Sequence, residues 1–231
     1  MKKIGIKTAL RTTLNMVRCA GKQKIFCIGR NKTGTTSLAR ALRDLGIIVG
    51  YQAPAELLIH DWAQRDFRRI VRYCHTAQAF QDVPFSLPYT FQALDKAFPG
   101  AKFILTVRDS PEQWYSSAIR FQSKMFGHGK IPNGDDLKKA TYRYPGWAWD
   151  THRTVHWTPS DDLYNREKMV EHYNFHNQTV LEYFRHRPND LLVINLAEKG
   201  SYAKFCEFIG KQPVGKDFPW ENKTADLKVR S

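Results

Sequence analysis

The sequence predicts a single α/β domain with a central, mostly parallel β-sheet flanked by helices. Three observations predict it. Short apolar runs alternate with segments whose apolar residues recur every three or four positions. The runs are apolar on both faces, as strands covered by helices on either side must be. The length of 231 residues fits one large domain at roughly 100–200 residues per domain. In order, the candidate strands are 24–28 (KIFCI), a weaker one at 47–50, 77–81 (AQAFQ), 102–107 (KFILTV) and 191–195 (LLVIN). Between them run four helical stripes: Leu38, Ala41, Leu42, Leu45; Phe91, Leu94, Phe98; Trp114, Ala118, Phe121; and Tyr173, Val180, Leu181, Phe184. The stretch at about 124–159, rich in Gly, Pro, Trp, Tyr and His, breaks the alternation and reads as an irregular insertion.

With 42% hydrophobic and 25% charged residues, the chain has the apolar content for a core, which excludes disorder and collagen-like repeats. Lys and Arg number 36 against 22 Asp and Glu, a net charge of +14. That excess calls for an anionic partner: nucleic acid, a membrane surface or a small anionic substrate. No nucleic-acid-binding motif is present, so no nucleic acid is expected. Cys19, Cys27, Cys74 and Cys206 are scattered with no CxxC; they read as reduced, mostly packed thiols of a cytoplasmic protein. No run approaches the roughly 18 apolar residues of a membrane span. Residues 1–23 form a basic lead-in without the apolar core of a signal peptide. A solvated segment is the expectation there, with a helix touching a membrane surface as the alternative. The domain proper covers 24–231.

Strand 24–28 runs directly into Gly29-Arg30-Asn31-Lys32-Thr33-Gly34-Thr35-Thr36-Ser37, and the helical stripe begins at Leu38. A strand, a glycine-containing loop and a helix in that order gather backbone N–H groups and the positive end of a helix dipole around an anion, with Thr35, Thr36 and Ser37 adding hydroxyls. The nucleotide-hydrolase form GxxxxGK[ST] has Lys after the second Gly. Here Thr35 stands at that place and Lys32 lies inside the loop, which disfavours an ATP or GTP enzyme. A second element follows strand 102–107. Ser110, Pro111 and Gln113 make a helix start with a capping-box pattern. That leaves Arg108 at the carboxyl end of a strand, where such sheets bind ligands, and Ser116 nearly two turns into the helix. An Arg fork beside a hydroxyl suits a phosphate group.

Taken together, RNKTGTTS (30–37) and a strand ending in Arg108, with Ser116 eight residues later, resemble the sulfotransferases that use 3′-phosphoadenosine 5′-phosphosulfate (PAPS). The similarity extends to Asp82-Val83-Pro84, to PGAKFILTVRD (99–109) and to KFCEFIG…FPWEN (204–222), so that it covers approximately 22–223 and points to the single-domain group with a P-loop-like nucleotide-binding core. It implies that Arg30, Lys32, Thr33, Gly34, Thr35, Thr36 and Ser37 hold the 5′-phosphosulfate, and that Arg108 and Ser116 hold the 3′-phosphate. It implies sulfuryl transfer to a hydroxyl or amine of a glycan, lipid headgroup or small molecule, with 3′-phosphoadenosine 5′-phosphate as product. Lys32 then stabilises the leaving phosphate. The general base falls to Asp82, which stands where related cytosolic enzymes carry a His; His60 and His75 are the alternatives. The irregular insertion becomes the acceptor side.

Other features have plainer readings. The pairs His152/His156 and His172/His176 have i, i+4 spacing but lack the HExxH glutamate, so they read as packed or exposed histidines and no metal site is assigned. Trp147, Trp149 and Trp157 suit either acceptor stacking or packing. Asn222 and Lys223 match a family segment near the nucleotide, although the RKGxxG loop is absent. The competing functions are a P-loop nucleotide kinase and a non-catalytic basic module for polyanions.

Overall fold

A computed structural model describes residues 6–219. In chain order the elements are α1 (Ile6–Cys19), β1 (Ile25–Cys27), α2 (Thr35–Asp44), α3 (Gln52–Glu56), α4 (Ile59–Ala63), α5 (Arg68–Tyr73), β2 (Ala79–Phe80), α6 (Thr90–Ala97), β3 (Lys102–Thr106), α7 (Pro111–Phe126), α8 (Gly134–Lys139), α9 (Trp147–Val155), α10 (Arg166–Phe184), β4 (Leu191–Ile194) and α11 (Ser201–Phe208). The four strands form one sheet in the order β2-β1-β3-β4, and every pairing is parallel. The weaker candidate at 47–50 contributes only a parallel bridge from Val49 to Ala79.

Alternation along each strand splits the core in two. Phe26, Phe103 and Leu105 face a layer built on Phe80, Phe85, Phe91 and Phe184. Ile25, Cys27 and Ile104 face the opposite layer, which holds Leu38, Leu42 and Phe205. Because successive side chains point to opposite faces, both layers must be apolar, and both are covered by helices. All four cysteines are free and buried. Leu181, expected on the inner stripe of α10, is exposed, whereas Tyr173, Val180 and Phe184 point inward.

The strand order sets the location of the site. The chain moves from β1 to β2 on one side and then returns to β3 on the other side of β1. The loops leaving β1 and β3 therefore diverge, opening a crevice at their carboxyl ends.

The insertion is more regular than its composition suggests. Asn133 caps α8 through a reciprocal capping box with Asp136, and Gly146, at φ 86°, turns the chain into α9. Trp147 and Leu137 join Trp114, Met169 and Tyr173 in a third cluster, which seats the insertion on α7 and α10. The lead-in carries the amphipathic α1, with Cys19 buried and Leu10, Leu14 and Val17 exposed. Among the described residues no helix is long and apolar enough to cross a membrane.

Candidate active site

The loop between β1 and α2 is shaped by close approach. A Cβ on Gly29 would stand 2.2 Å from the Thr106 hydroxyl and 2.4 Å from the Thr106 carbonyl oxygen, so only glycine lets β1 pass β3 there. Gly34 sits at φ 102° as the N-cap of α2 and offers no side chain to the first turn. The leading N–H groups of α2 are thus left without a side-chain cap and with the positive end of the helix dipole behind them. By contrast, α7 is closed by its own residues: Ser110 Oγ accepts from the Gln113 N–H at 3.1 Å, and Pro111 occupies the first turn.

Three side chains hold the loop from behind through its carbonyls. His176 Nε2 donates to the Ile28 oxygen at 2.8 Å, Trp114 Nε1 to the Asn31 oxygen at 2.9 Å, and Arg108 Nε to the Lys32 oxygen at 2.8 Å. Tyr173 accepts from the Arg108 N–H at 3.1 Å and stacks on Trp114 with centroids 4.7 Å apart. With the carbonyls satisfied on that side, the loop is preorganised before any ligand arrives. Thr33 uses its hydroxyl within the scaffold, donating to the Arg30 carbonyl and meeting the Thr106 hydroxyl.

Lys32 (φ 70°) and Asp82 (φ 62°) both adopt the left-handed backbone conformation that non-glycine residues seldom take. Such strain, of order 1–3 kcal/mol per residue, persists where the surroundings impose it and concentrates at functional sites. Both residues border one cavity of about 110 Å³, together with Arg30, Glu56 and residues of α7 and α9. Lys32 Nζ lies 3.6 Å from the centre of the Phe121 ring. Burial pushes the Lys32 ammonium down to about 8; Asp82 opposes the shift and Arg108 adds to it. Burial raises the Asp82 carboxyl above its usual range, against the Val83 N–H, which donates to it at 2.8 Å, and the positive charges of Lys32, Arg30 and Arg143.

Residues 24–227 match the family model described as the sulfotransferase domain. The chain belongs to the sulfotransferase family. Its general chemistry is therefore sulfuryl transfer, and the protein is a transferase. No curated protein matches the chain significantly.

Within this sulfotransferase, the sequence candidates are distributed unevenly. Arg30, Lys32 and Asp82 meet at the cavity. Arg108 touches the loop, and its guanidinium feels Arg120, one turn beyond the exposed Ser116 on α7. Thr35 and Ser37 are buried while Thr36 is exposed. His60 pairs with the Tyr144 hydroxyl at 2.7 Å, and His75 packs edge-on against Phe98; neither lines the cavity. Among the described residues no three His, Cys, Asp or Glu side chains converge as a metal site. Asn222 and Lys223 lie outside the described residues.

Sequence reasoning missed four contributors. Trp114 and His176 were read only as apolar-stripe and paired-histidine residues; the only hint of their role was that both carry a ring N–H able to donate at depth. Glu56 enters the cavity wall bound to Arg143 of the insertion, and burial raises its carboxyl to about 7 against that pairing. Arg120 had no signal beyond its spacing from Ser116.

Proposed function

We propose that this sulfotransferase takes its sulfuryl group from PAPS and passes it, in line, to a hydroxyl or amine of an acceptor, with Asp82 as general base and Lys32 at the leaving phosphate. The observation that carries this reading is the meeting of Lys32 and Asp82, from the ends of the adjacent strands β1 and β2, on one small cavity.

The residues fit such a donor. The uncapped first turn of α2 and the left-handed Gly34 form a cradle for a phosphosulfate. Lys32 is a desolvated cation beside it. Arg108, at the end of β3, with Ser116 and Arg120 on α7, offers charge for a second phosphate. Once bound, the donor supplies a sulfur whose bond to the bridging oxygen can break. Asp82 takes the proton of the acceptor hydroxyl as the new oxygen–sulfur bond forms. Lys32 balances the charge that collects on the departing oxygen, so the electron pair of the broken bond leaves with 3′-phosphoadenosine 5′-phosphate. The raised Asp82 carboxyl suits a base better than an ordinary aspartate would.

Incubation with radiolabelled PAPS and a broad acceptor panel, alongside calorimetry with 3′-phosphoadenosine 5′-phosphate, tests the reading. Label transfer together with saturable nucleotide binding is expected. Absence of both sinks it.

A further inference from the structure

The amphipathic α1 carries its apolar face on the outside. Leu10, Leu14 and Val17 follow one another at i, i+4 and i+7, so they lie on one face of the helix. They are 66%, 56% and 71% exposed. Cys19, about half a turn round the helix from them, is the only buried residue among positions 10–19. The helix therefore meets the domain by its other side, where it lies against the turn at Cys74–Thr76. A cleft of about 770 Å³ lined by Met16, Cys19, His75, Phe98 and Pro99 adjoins that contact. A 14-residue helix is marginal in water by itself and is stabilised chiefly by packing its apolar face. In α1 that face is turned away from the core.

The charge around this face identifies its partner. Arg11 and Arg18, seven positions apart and both exposed, run along one border of the apolar stripe. Residues 1–22 carry six basic side chains and no acidic one, and the first acidic residue in the chain is Asp44. Long cationic side chains at such a border lay their methylenes along the apolar surface while their charged ends reach phosphate. A second copy of the chain is a poorer occupant, since it brings the same arginines and the same net charge of +14 to the interface. An anionic lipid surface offers both the acyl boundary that suits Leu10, Leu14 and Val17 and the negative charge that suits Arg11 and Arg18.

We propose that α1 docks the protein on an anionic lipid bilayer. The helix lies in the plane of the interface, with Leu10, Leu14 and Val17 at the acyl boundary and Arg11 and Arg18 among the lipid phosphates. It leads into β1 at Ile25 and so adjoins the amino ends of the strands, whereas Lys32, Asp82 and Arg108 follow their carboxyl ends. Docking through α1 leaves the crevice at the carboxyl ends uncovered, so lipid and nucleotide bind independently. One short helix with a few basic residues gives a reversible attachment that salt weakens.

Co-sedimentation of the whole chain with vesicles of phosphatidylcholine, and of phosphatidylcholine mixed with an equal amount of phosphatidylglycerol, tests the docking. Binding to the mixed vesicles that exceeds binding to the neutral ones and weakens with added salt is expected. Leu10→Ser combined with Leu14→Ser should lower the partition coefficient roughly tenfold or more, with Tm unchanged because both residues are exposed. Arg11→Gln and Arg18→Gln should each lower it roughly fivefold on the mixed vesicles. Lys139→Gln makes the same change of charge at an exposed site on α8 and should leave it unaltered. Equal binding to both vesicles, or binding to neither, overturns the proposal. So does an equal loss in Lys139→Gln, which would assign the binding to overall charge, or a dimer that replaces lipid binding and is abolished by the leucine substitutions. Saturating 3′-phosphoadenosine 5′-phosphate should leave sedimentation unchanged; release from the vesicles would place the lipid phosphate in the loop at 29–37 and overturn the role of α1. Whether that nucleotide binds at all bears on the donor reading and not on this one.

Discussion

The two walls of the cavity are built in opposite ways. The wall from β1 to α2 is a contiguous stretch whose carbonyls are tied down by His176, Trp114 and Arg108, leaving the helix start uncapped. The opposite wall is assembled from separate segments: Trp147 packs in the cluster that seats the insertion on α7 and α10, and Glu56 is bound to Arg143. A contiguous wall, proposed to meet one anionic donor, can be completed in advance by backbone donors and a fixed dipole. A wall joined from distant segments takes its shape from side-chain packing, so it holds only while the insertion stays seated.

Substitutions and pH dependence would break or sharpen the contrast. The largest effect is expected for Asp82→Asn, which removes the proposed base from between the walls: kcat should fall roughly 10²–10⁴-fold, with nucleotide affinity retained in calorimetry. Wild-type turnover in that variant would move the base elsewhere. Lys32→Met should lower kcat roughly 10²–10³-fold. A linked result is the pH profile of kcat/KM. It should rise as Asp82 loses its proton and fall above about 8 as Lys32 loses its own. Lys32→Arg, protonated throughout this range, should lack the alkaline fall even where its rate is poor. An alkaline limb that survives the substitution belongs to another group.

Arg108→Ala tests the proposed contact between the β1–α2 side and the nucleotide. A charged hydrogen bond of about 1.5–3 kcal/mol predicts a roughly 10- to 150-fold weaker Kd for 3′-phosphoadenosine 5′-phosphate. Trp114→Phe keeps the ring that stacks on Tyr173 and removes one hydrogen bond to the loop. A loss of about 1 kcal/mol corresponds to a fall in Tm of roughly 2–4 °C, accompanied by several-fold weaker nucleotide binding. Unaltered binding would show that the loop keeps its shape without that support.

The last expectation concerns acid stability. His176 is fully buried and its ring is held down to about 3, against 6.5 when free. As pH falls below 6.5 the unfolded chain takes up a proton that the folded chain refuses, so stability declines down to about pH 3. Glu56, raised to about 7, works in the opposite direction as acid protonates it in the fold. The diagnostic is therefore a difference: between pH 6.5 and 3, wild type should lose stability relative to His176→Phe in denaturant titrations. Parallel curves would deny the buried histidine its linkage.

The strands were readable because both faces of each are buried, so 24–28, 102–107 and 191–195 stand out as apolar runs, trimmed by only a few residues in β1, β3 and β4. The short helices α3 to α5 were not, since five or six residues carry too little periodicity to register. The insertion looked irregular because Gly, Pro and aromatic residues dominate it. Its helices exist through local caps at Asn133 and Gly146 and through packing on α7 and α10. In the candidate site, Arg30 and Lys32 announced themselves by lying in a continuous motif. Glu56, Thr151, His152 and His156 did not, because their meaning depends on what faces them.

By itself, then, the sequence determined the parallel α/β architecture and the loop at 29–37, because strand burial and a strand–glycine loop–helix start are each written in consecutive residues. Tertiary structure alone decided that Lys32 and Asp82 share a cavity and that the insertion supplies its other wall. Those residues lie on separate segments of the chain, and the low-dielectric pocket that lowers Lys32 and raises Asp82 exists only once the segments are packed together.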